Sequence, residues 1–316
     1  MSKHGWLPWL EATFAVIVWG GTFIATKVAL LEIPPETVVW LRFGIGVVVL
    51  GAAVVLRRQF ARPTGRELAY FTLLGFIGIT FHQWLQSTGL VTSQASTTAW
   101  IVSTIPVFMA ILGWIFLRER LRWVQAGGIA LAGLGVLLVV SQGNLRSLGT
   151  GGFGAPGDLL ILISAPNWAV FSILSRKGLQ RYPATWMMFY VMLSGWLLTT
   201  LPFLIQAGVG DHGQLSWQGW GSIPAWAVSG LAEIGELSWR GWIGVGLLGV
   251  FASGLAYIAW YDALKAISAA RVGVLLYIEP LVAVAVAAVV LAEPVRWAAL
   301  LGGAIILFGV WLVQRK

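Results

Sequence analysis

One stretch of this chain occurs twice. Residues Phe81 to Val140 slide forward by a constant offset, without a gap, onto Leu255 to Gln314. Pro106 then falls on Pro280, Glu119 on Glu293 and Arg122-Trp123 on Arg296-Trp297. Gly128 falls on Gly302, and Gly135-Val136 on Gly309-Val310. Whatever one copy folds into, the other must fold into as well. In an apolar chain, two copies of a helical unit point to a structural repeat related by an axis in, or normal to, the membrane plane.

Composition sets the environment. Apolar residues make up 58% of the 316 residues and charged residues 10%, whereas a soluble domain is nearer a quarter charged. Apolar runs of about 20 residues recur along the chain, each able to cross the hydrocarbon layer as a helix. We therefore expect an all-α integral membrane protein with ten transmembrane helices. They fall near residues 9–30, 37–56, 67–89, 94–117, 123–141, 158–176, 184–205, 241–264, 269–291 and 295–313. The N-terminal stretch lacks a small-residue cleavage pattern, so the first run reads as a retained helix. The absence of cysteine excludes disulfides and Cys-ligated metals, and no cofactor motif is present.

The net charge of +8 is not a nucleic-acid signature here, because the cations collect at alternate helix ends. Arg57, Arg58, Arg62 and Arg66 follow the second helix; Arg118, Arg120 and Arg122 the fourth; Arg176, Lys177 and Arg181 the sixth. Lys265 and Arg271 flank the turn after the eighth, and Arg315 and Lys316 end the chain. The opposite loops hold few cations. The positive-inside rule then gives a multi-pass protein of the cell (inner) membrane with both termini cytoplasmic. Five spans per half is an odd number, so the halves insert in opposite senses: two inverted five-helix repeats. The expected division is 1–143 and 158–316, joined by a Gly-rich linker at 144–157. The outer segment 206–240, rich in Trp, reads as interfacial or as a lid. Glu119 and Glu293 become rim residues on opposite sides.

Several residues carry a resemblance to the EamA-type exporters of the drug/metabolite transporter superfamily. They are Trp19-Gly20-Gly21-Thr22-Phe23 with Lys27, Pro34-Pro35 with Leu41-Arg42-Phe43, Gly89-Leu90, and Pro106 with Leu117 to Glu119. The second half adds Ala263-Leu264, Glu279-Pro280 and Ala292-Glu293. The resemblance covers nearly the whole chain. It implies a ten-helix inner-membrane carrier that exports amino acids or related metabolites. The second half departs from the pattern where Asn167-Trp168-Ala169-Val170 replaces the Trp-Gly-Gly-Thr of the first.

Polar groups at membrane depth are costly, so they are the places to seek substrate contacts. His82, Gln83 and Gln86 lie mid-span in the third helix, with His82 and Gln86 on one face. They read as a cavity face, or as a buried histidine bonded to a backbone carbonyl. Tyr257 and Tyr261 repeat that face in the eighth helix, Tyr257 falling on Gln83. Glu279, about ten residues into the ninth helix, could couple transport to a proton or bind an ammonium group. The alternative for it is a structural pair with Arg42 or Lys27. Arg42 suits a structural pair or carboxylate recognition, while Lys27 is placed to snorkel. Asp262 reads as a solvated charge. Trp19, Trp100 and Trp168 can form aromatic walls or simply pack. The glycines at 127–135 and 302–309 read as helix-packing positions.

These residues suggest a secondary carrier for a small molecule in a lipid bilayer, without an obligatory protein partner. An amino acid moving outward is the first expectation, and uptake of another metabolite the second. An integral membrane enzyme lacks its clustered catalytic groups here, since only His82 of three histidines is in a span. A lipid-handling protein is the remaining alternative.

Overall fold

The structure is a computed structural model that describes residues 6–117, 121–144, 154–209, 234–266 and 275–315, with backbone alone for 117, 205–209 and 265. Glu119, most of the Trp-rich segment 206–240 and much of the linker lie outside the described residues. Among the described residues, ten long helices follow one another: α1 Leu7–Leu30, α2 Pro35–Leu56, α3 Gly65–Thr92, α4 Ala95–Phe116 and α5 Trp123–Val140 in the first half. The second half holds α6 Pro156–Leu179, α7 Ala184–Val209, α8 Trp239–Leu264, α9 Ile278–Val290 and α10 Trp297–Gln314. All except the shorter α9 are long and apolar enough to cross a membrane. Trp123, Trp297 and Phe116 lie almost fully exposed on the outside of the bundle, as lipid-facing side chains do.

The inversion is visible in the packing of repeat mates. α5 and α10 run antiparallel, with Gly128 against Gly309 and Gly135 against Gly302. A Cβ on Gly135 would lie 2.7 Å from the Gly302 carbonyl oxygen, and one on Gly309 would lie 2.7 Å from that of Gly128. Only glycine allows this approach, and lipid supplies no hydrophobic force to replace the lost contact. The same relation organises the rest. α1 packs on α8 and α9 of the other half, and its mate α6 packs on α3 and α4. α2 packs on α7 and α8. Each half thus closes on the other rather than on itself.

Two features depart from uninterrupted helices. First, α4 turns at Ser103 and Thr104, and the described α9 begins at Ile278 after a turn at Leu276 and Tyr277. Pro106 and Pro280 therefore open a new helical piece, in the first turn where proline is tolerated, instead of kinking a continuous span. Ser103 and Thr104 hydroxyls donate to the carbonyls of Trp100 and Ile101 at 2.7 and 2.6 Å, satisfying groups released by the break. Glu279 is accordingly in the first turn of its helix, a correction to its expected position deep in an unbroken one.

Second, α3 is π-helical over Phe76–Phe81 and α8 over Leu247–Leu255. The repeat offset superposes the two segments. Each ends immediately before a candidate site, at His82-Gln83 and at Ala256-Tyr257. π segments widen the helix and shift the face that following residues present.

Candidate functional site

The apolar cores of the bundle leave a polar and aromatic seam between α1, α2, α3, α6, α8 and α9. Trp19 reaches from α1 to α8, where its Nε1–H donates to the Ala252 carbonyl at 3.2 Å. Its ring meets Tyr257 edge-on at 5.6 Å and Trp260 at 5.2 Å. Gly20 beside it allows α9 to close in, since a Cβ there would lie 2.7 Å from the Glu279 carbonyl oxygen. The Trp-Gly-Gly-Thr motif thus builds one wall and admits a neighbouring helix.

Across the pseudo-axis, Trp168 of α6 lies 4.6 Å from the His82 ring and 4.8 Å from Phe171. His82 is buried facing the Ser164 backbone carbonyl, and its Nδ1 has no partner among the described residues. Arg42 is 7% exposed. Its Nε donates to Ser253 Oγ at 3.3 Å and its Nη1 to Gln83 Oε1 at 3.1 Å. Tyr257 is close enough to Arg42 to feel its charge, and its ring lies 6.3 Å from Tyr261. Seven of the ten expected residues therefore gather along this seam, namely Trp19, Arg42, His82, Gln83, Trp168, Tyr257 and Tyr261, and Glu279 meets it through its backbone carbonyl beside Gly20.

Gln86, one turn after His82, is half-buried and makes no hydrogen bond to the described residues. Trp100 is elsewhere. It packs on Gly303 of α10 in the core that contains Phe23, Val136 and Val310. Trp100 borders a cavity of about 10 Å³, the space of one water, together with Thr97, Gln142, Glu293 and Arg296.

The expected ion pairs are redrawn. Among the described residues, Glu279 pairs with neither Arg42 nor Lys27. Lys27 donates from Nζ to the Ser93 carbonyl at 2.6 Å, at the end of α3. Ser93 Oγ in turn donates to Asp158 of α6 at 2.5 Å, so this buried chain joins the halves where α3 ends. Asp262 is no lone solvated charge, because Arg57 holds it in a bidentate pair. That pair lies on the face where α1 begins and raises the Arg57 pKa. On the opposite face, Glu32 accepts from the Ser238 backbone N–H at 2.7 Å and from its hydroxyl at 2.6 Å, which lowers the pKa of this carboxyl. Glu293 there accepts from the Ala95 and Ser96 N–H groups and from the Ser96 hydroxyl.

Sequence reasoning overlooked Asn167, whose Nδ2 donates to the Ile77 carbonyl at 2.8 Å. It also overlooked Ser253 beneath Arg42. Asn167 had a signal, being an amide at membrane depth beside Trp168. Ser253 had none, since a small hydroxyl is commonplace in a span.

The model of the EamA-like transporter family matches residues 9–141 and again 155–315. The chain belongs to the EamA-like transporter family. It is therefore a multi-pass membrane protein of a family of transporters, not of enzymes. An uncharacterized transporter of Archaeoglobus fulgidus is 26% identical over 97% of both chains. A probable terminal-alkyne amino-acid exporter of Streptantibioticus cattleyicolor is 27% identical, covering 100% of this chain and 95% of its own. A probable amino-acid metabolite efflux pump of Salmonella typhimurium is 28% identical, over 98% of this chain and 94% of its own. A solved crystal structure with 20% identity aligns over 96% of this chain with a TM-score of 0.62. At that identity it shows a shared fold alone.

Proposed function

We propose that this EamA member is a secondary carrier that moves a small metabolite, first an amino acid or related amphipathic compound, outward across the cell membrane. The observation that carries the reading is a set of polar groups without partners. The carboxyl of Glu279, the hydroxyls of Tyr257 and Tyr261, the amide of Gln86 and Nη2 of Arg42 make no hydrogen bond to the described residues. Such groups, drawn from both halves and flanked by Trp19 and Trp168, suit a polar molecule with an apolar body. The names of the Streptantibioticus and Salmonella relatives favour amino acids and export.

Residues 1–143 and 158–316 serve as the two moving halves, with 144–157 as the linker and both termini in the cytoplasm. The halves rock about the seam. The Arg57–Asp262 pair closes one face; Glu32–Ser238 and Ser93–Asp158 close the other. Alternating access requires that these sets open in turn. Glu279 is the candidate for a coupling proton. Counterflow of a panel of labelled amino acids in proteoliposomes tests the reading. Saturable exchange of at least one is expected, and exchange of none with folded protein would refute it.

A further inference from the structure

We infer that Arg42 is the subsite for a carboxylate on the transported molecule, an assignment that rests on the carrier reading above. Arg42 stands in α2 with its guanidinium fixed in orientation by two hydrogen bonds, to Ser253 Oγ of α8 at 3.3 Å and to Gln83 Oε1 of α3 at 3.1 Å. The Phe43 ring lies 4.8 Å away. Every one of these contacts is neutral. No carboxylate lies within ion-pair distance of Arg42 among the described residues. The side chain is nonetheless more than nine-tenths buried, and a buried charge is normally paired because burial strips its hydration.

A purely structural arginine would use its donors on protein acceptors. Arginine carries five N–H donors, and here Nη2 is left without a partner. Arg42 as a whole keeps 7% of its surface exposed, so it is not completely enclosed by protein. Tyr257, near enough to feel the Arg42 charge, makes no hydrogen bond through its hydroxyl among the described residues. An oriented guanidinium with a spare donor suits a carboxylate oxygen, which arginine binds better than lysine through its planar fork. Gln83 is what leaves the site cationic. It holds Nη1 through a neutral oxygen, so the site keeps its cation without neutralising it. A glutamate at the same place would supply the missing anion from within.

The test uses the purified full chain in detergent. The ligands are L-phenylalanine, 3-phenylpropionate, 3-phenylpropionamide and phenethylamine; the readouts are thermal midpoint and binding isotherm. The two carboxylates are expected to bind and raise the midpoint, while the amide and the amine do neither. Gln83→Glu should fold with an undiminished midpoint and bind the carboxylates about 10- to 100-fold more weakly, the scale of a lost charge-assisted hydrogen bond. Arg42→Lys should fall in between. Amide or amine binding as tight as the carboxylates overturns the assignment. So does unchanged carboxylate affinity in Gln83→Glu, a wild type that answers to no carboxylate, or equal stabilisation by sodium chloride or inorganic phosphate. The two readings fail separately. Liposomes without amino-acid flux, formed from protein that binds carboxylates in detergent, remove the export reading and leave Arg42 assigned. Equal flux through wild type and Gln83→Glu removes the Arg42 subsite and leaves the carrier.

Discussion

Asn167 in α6 donates a hydrogen bond to the backbone carbonyl of Ile77, inside the π-helical segment of α3. Trp19 does the same in mirror fashion, from α1 to Ala252 inside the π segment of α8. In each half the first helix therefore clasps a carbonyl of the wide turn in the third helix of the other half. A π turn disturbs the regular i to i−4 ladder, and in lipid a carbonyl without a partner is costly. The clasps answer that cost with different chemistry, an amide on one side and an indole on the other.

The clasps are expected to set the rotation of His82-Gln83 and of Tyr257. Asn167→Ala should destabilise the protein by about 1–3 kcal/mol, the cost of orphaning a buried acceptor. Transport should fall further than the loss of folded protein explains. Trp19→Phe keeps an aromatic ring against Tyr257 and loses only the hydrogen bond, so it should show the flux defect with a smaller loss of stability. Thermal midpoints and flux per folded molecule measure both, and wild-type flux in the two variants would disprove the positioning role.

His82→Ala and Tyr261→Ala are expected to lower transport without lowering the yield of folded protein. Each removes seam surface and not a helix–helix contact of the glycine type. Tyr261→Phe isolates the hydroxyl, which has no protein partner to lose. Its stability should stay within about 0.5 kcal/mol of wild type, so any flux defect reports on ligand contact. Normal flux in all three would move the substrate route elsewhere.

The α5–α10 contact gives a packing prediction. Gly135→Ala and Gly302→Ala each place a methyl group against backbone of the facing helix. Backbone cannot rotate away as a side chain can, so each should cost about 1–3 kcal/mol of stability. Gly133→Ala is the control, because nothing lies within 4 Å of its added Cβ. Unfolding midpoints that rank Gly133→Ala with the other two would mean that α5 and α10 do not meet in this register.

Much of this was legible in the sequence because it is periodic or costly. The repeat offset and the odd span count required inversion, and the antiparallel Gly128–Gly309 and Gly135–Gly302 contacts realise it. His82, Arg42, Tyr257 and Glu279 stand out because ionisable and phenolic groups are rare at depth. Trp100 was misleading, since tryptophan serves a wall and a core equally well and nothing local separates the two. The π segments left no trace either. They follow from how α3 and α8 meet their neighbours, not from local propensity. Pairings such as Lys27 with Ser93, and Arg57 with Asp262, join residues far apart in the chain and depend on tertiary placement.

The last prediction concerns pH. Glu32, in the loop after α1, receives two hydrogen bonds from Ser238, the residue that caps α8 with its own hydroxyl. Those bonds favour the ionised carboxylate and lower its pKa in the folded protein below the ordinary glutamate value. A group whose folded pKa is depressed contributes stability that is fully present above its unfolded pKa and is lost as pH falls through the folded one. The loss should therefore begin below about pH 4.5, near the ordinary glutamate value, and be absent between pH 6 and 8. Glu32→Gln keeps an acceptor oxygen for Ser238 but cannot titrate. The wild-type advantage over this variant should hold at neutral pH and shrink on acidification, measured as the difference in thermal midpoint from pH 7 to pH 3. Because Glu32 and Ser238 link the halves on one face, the same substitution should also shift the balance between the two open forms. Cysteine labelling on that face would report it as increased access, and unchanged access would confine Glu32 to a stabilising role.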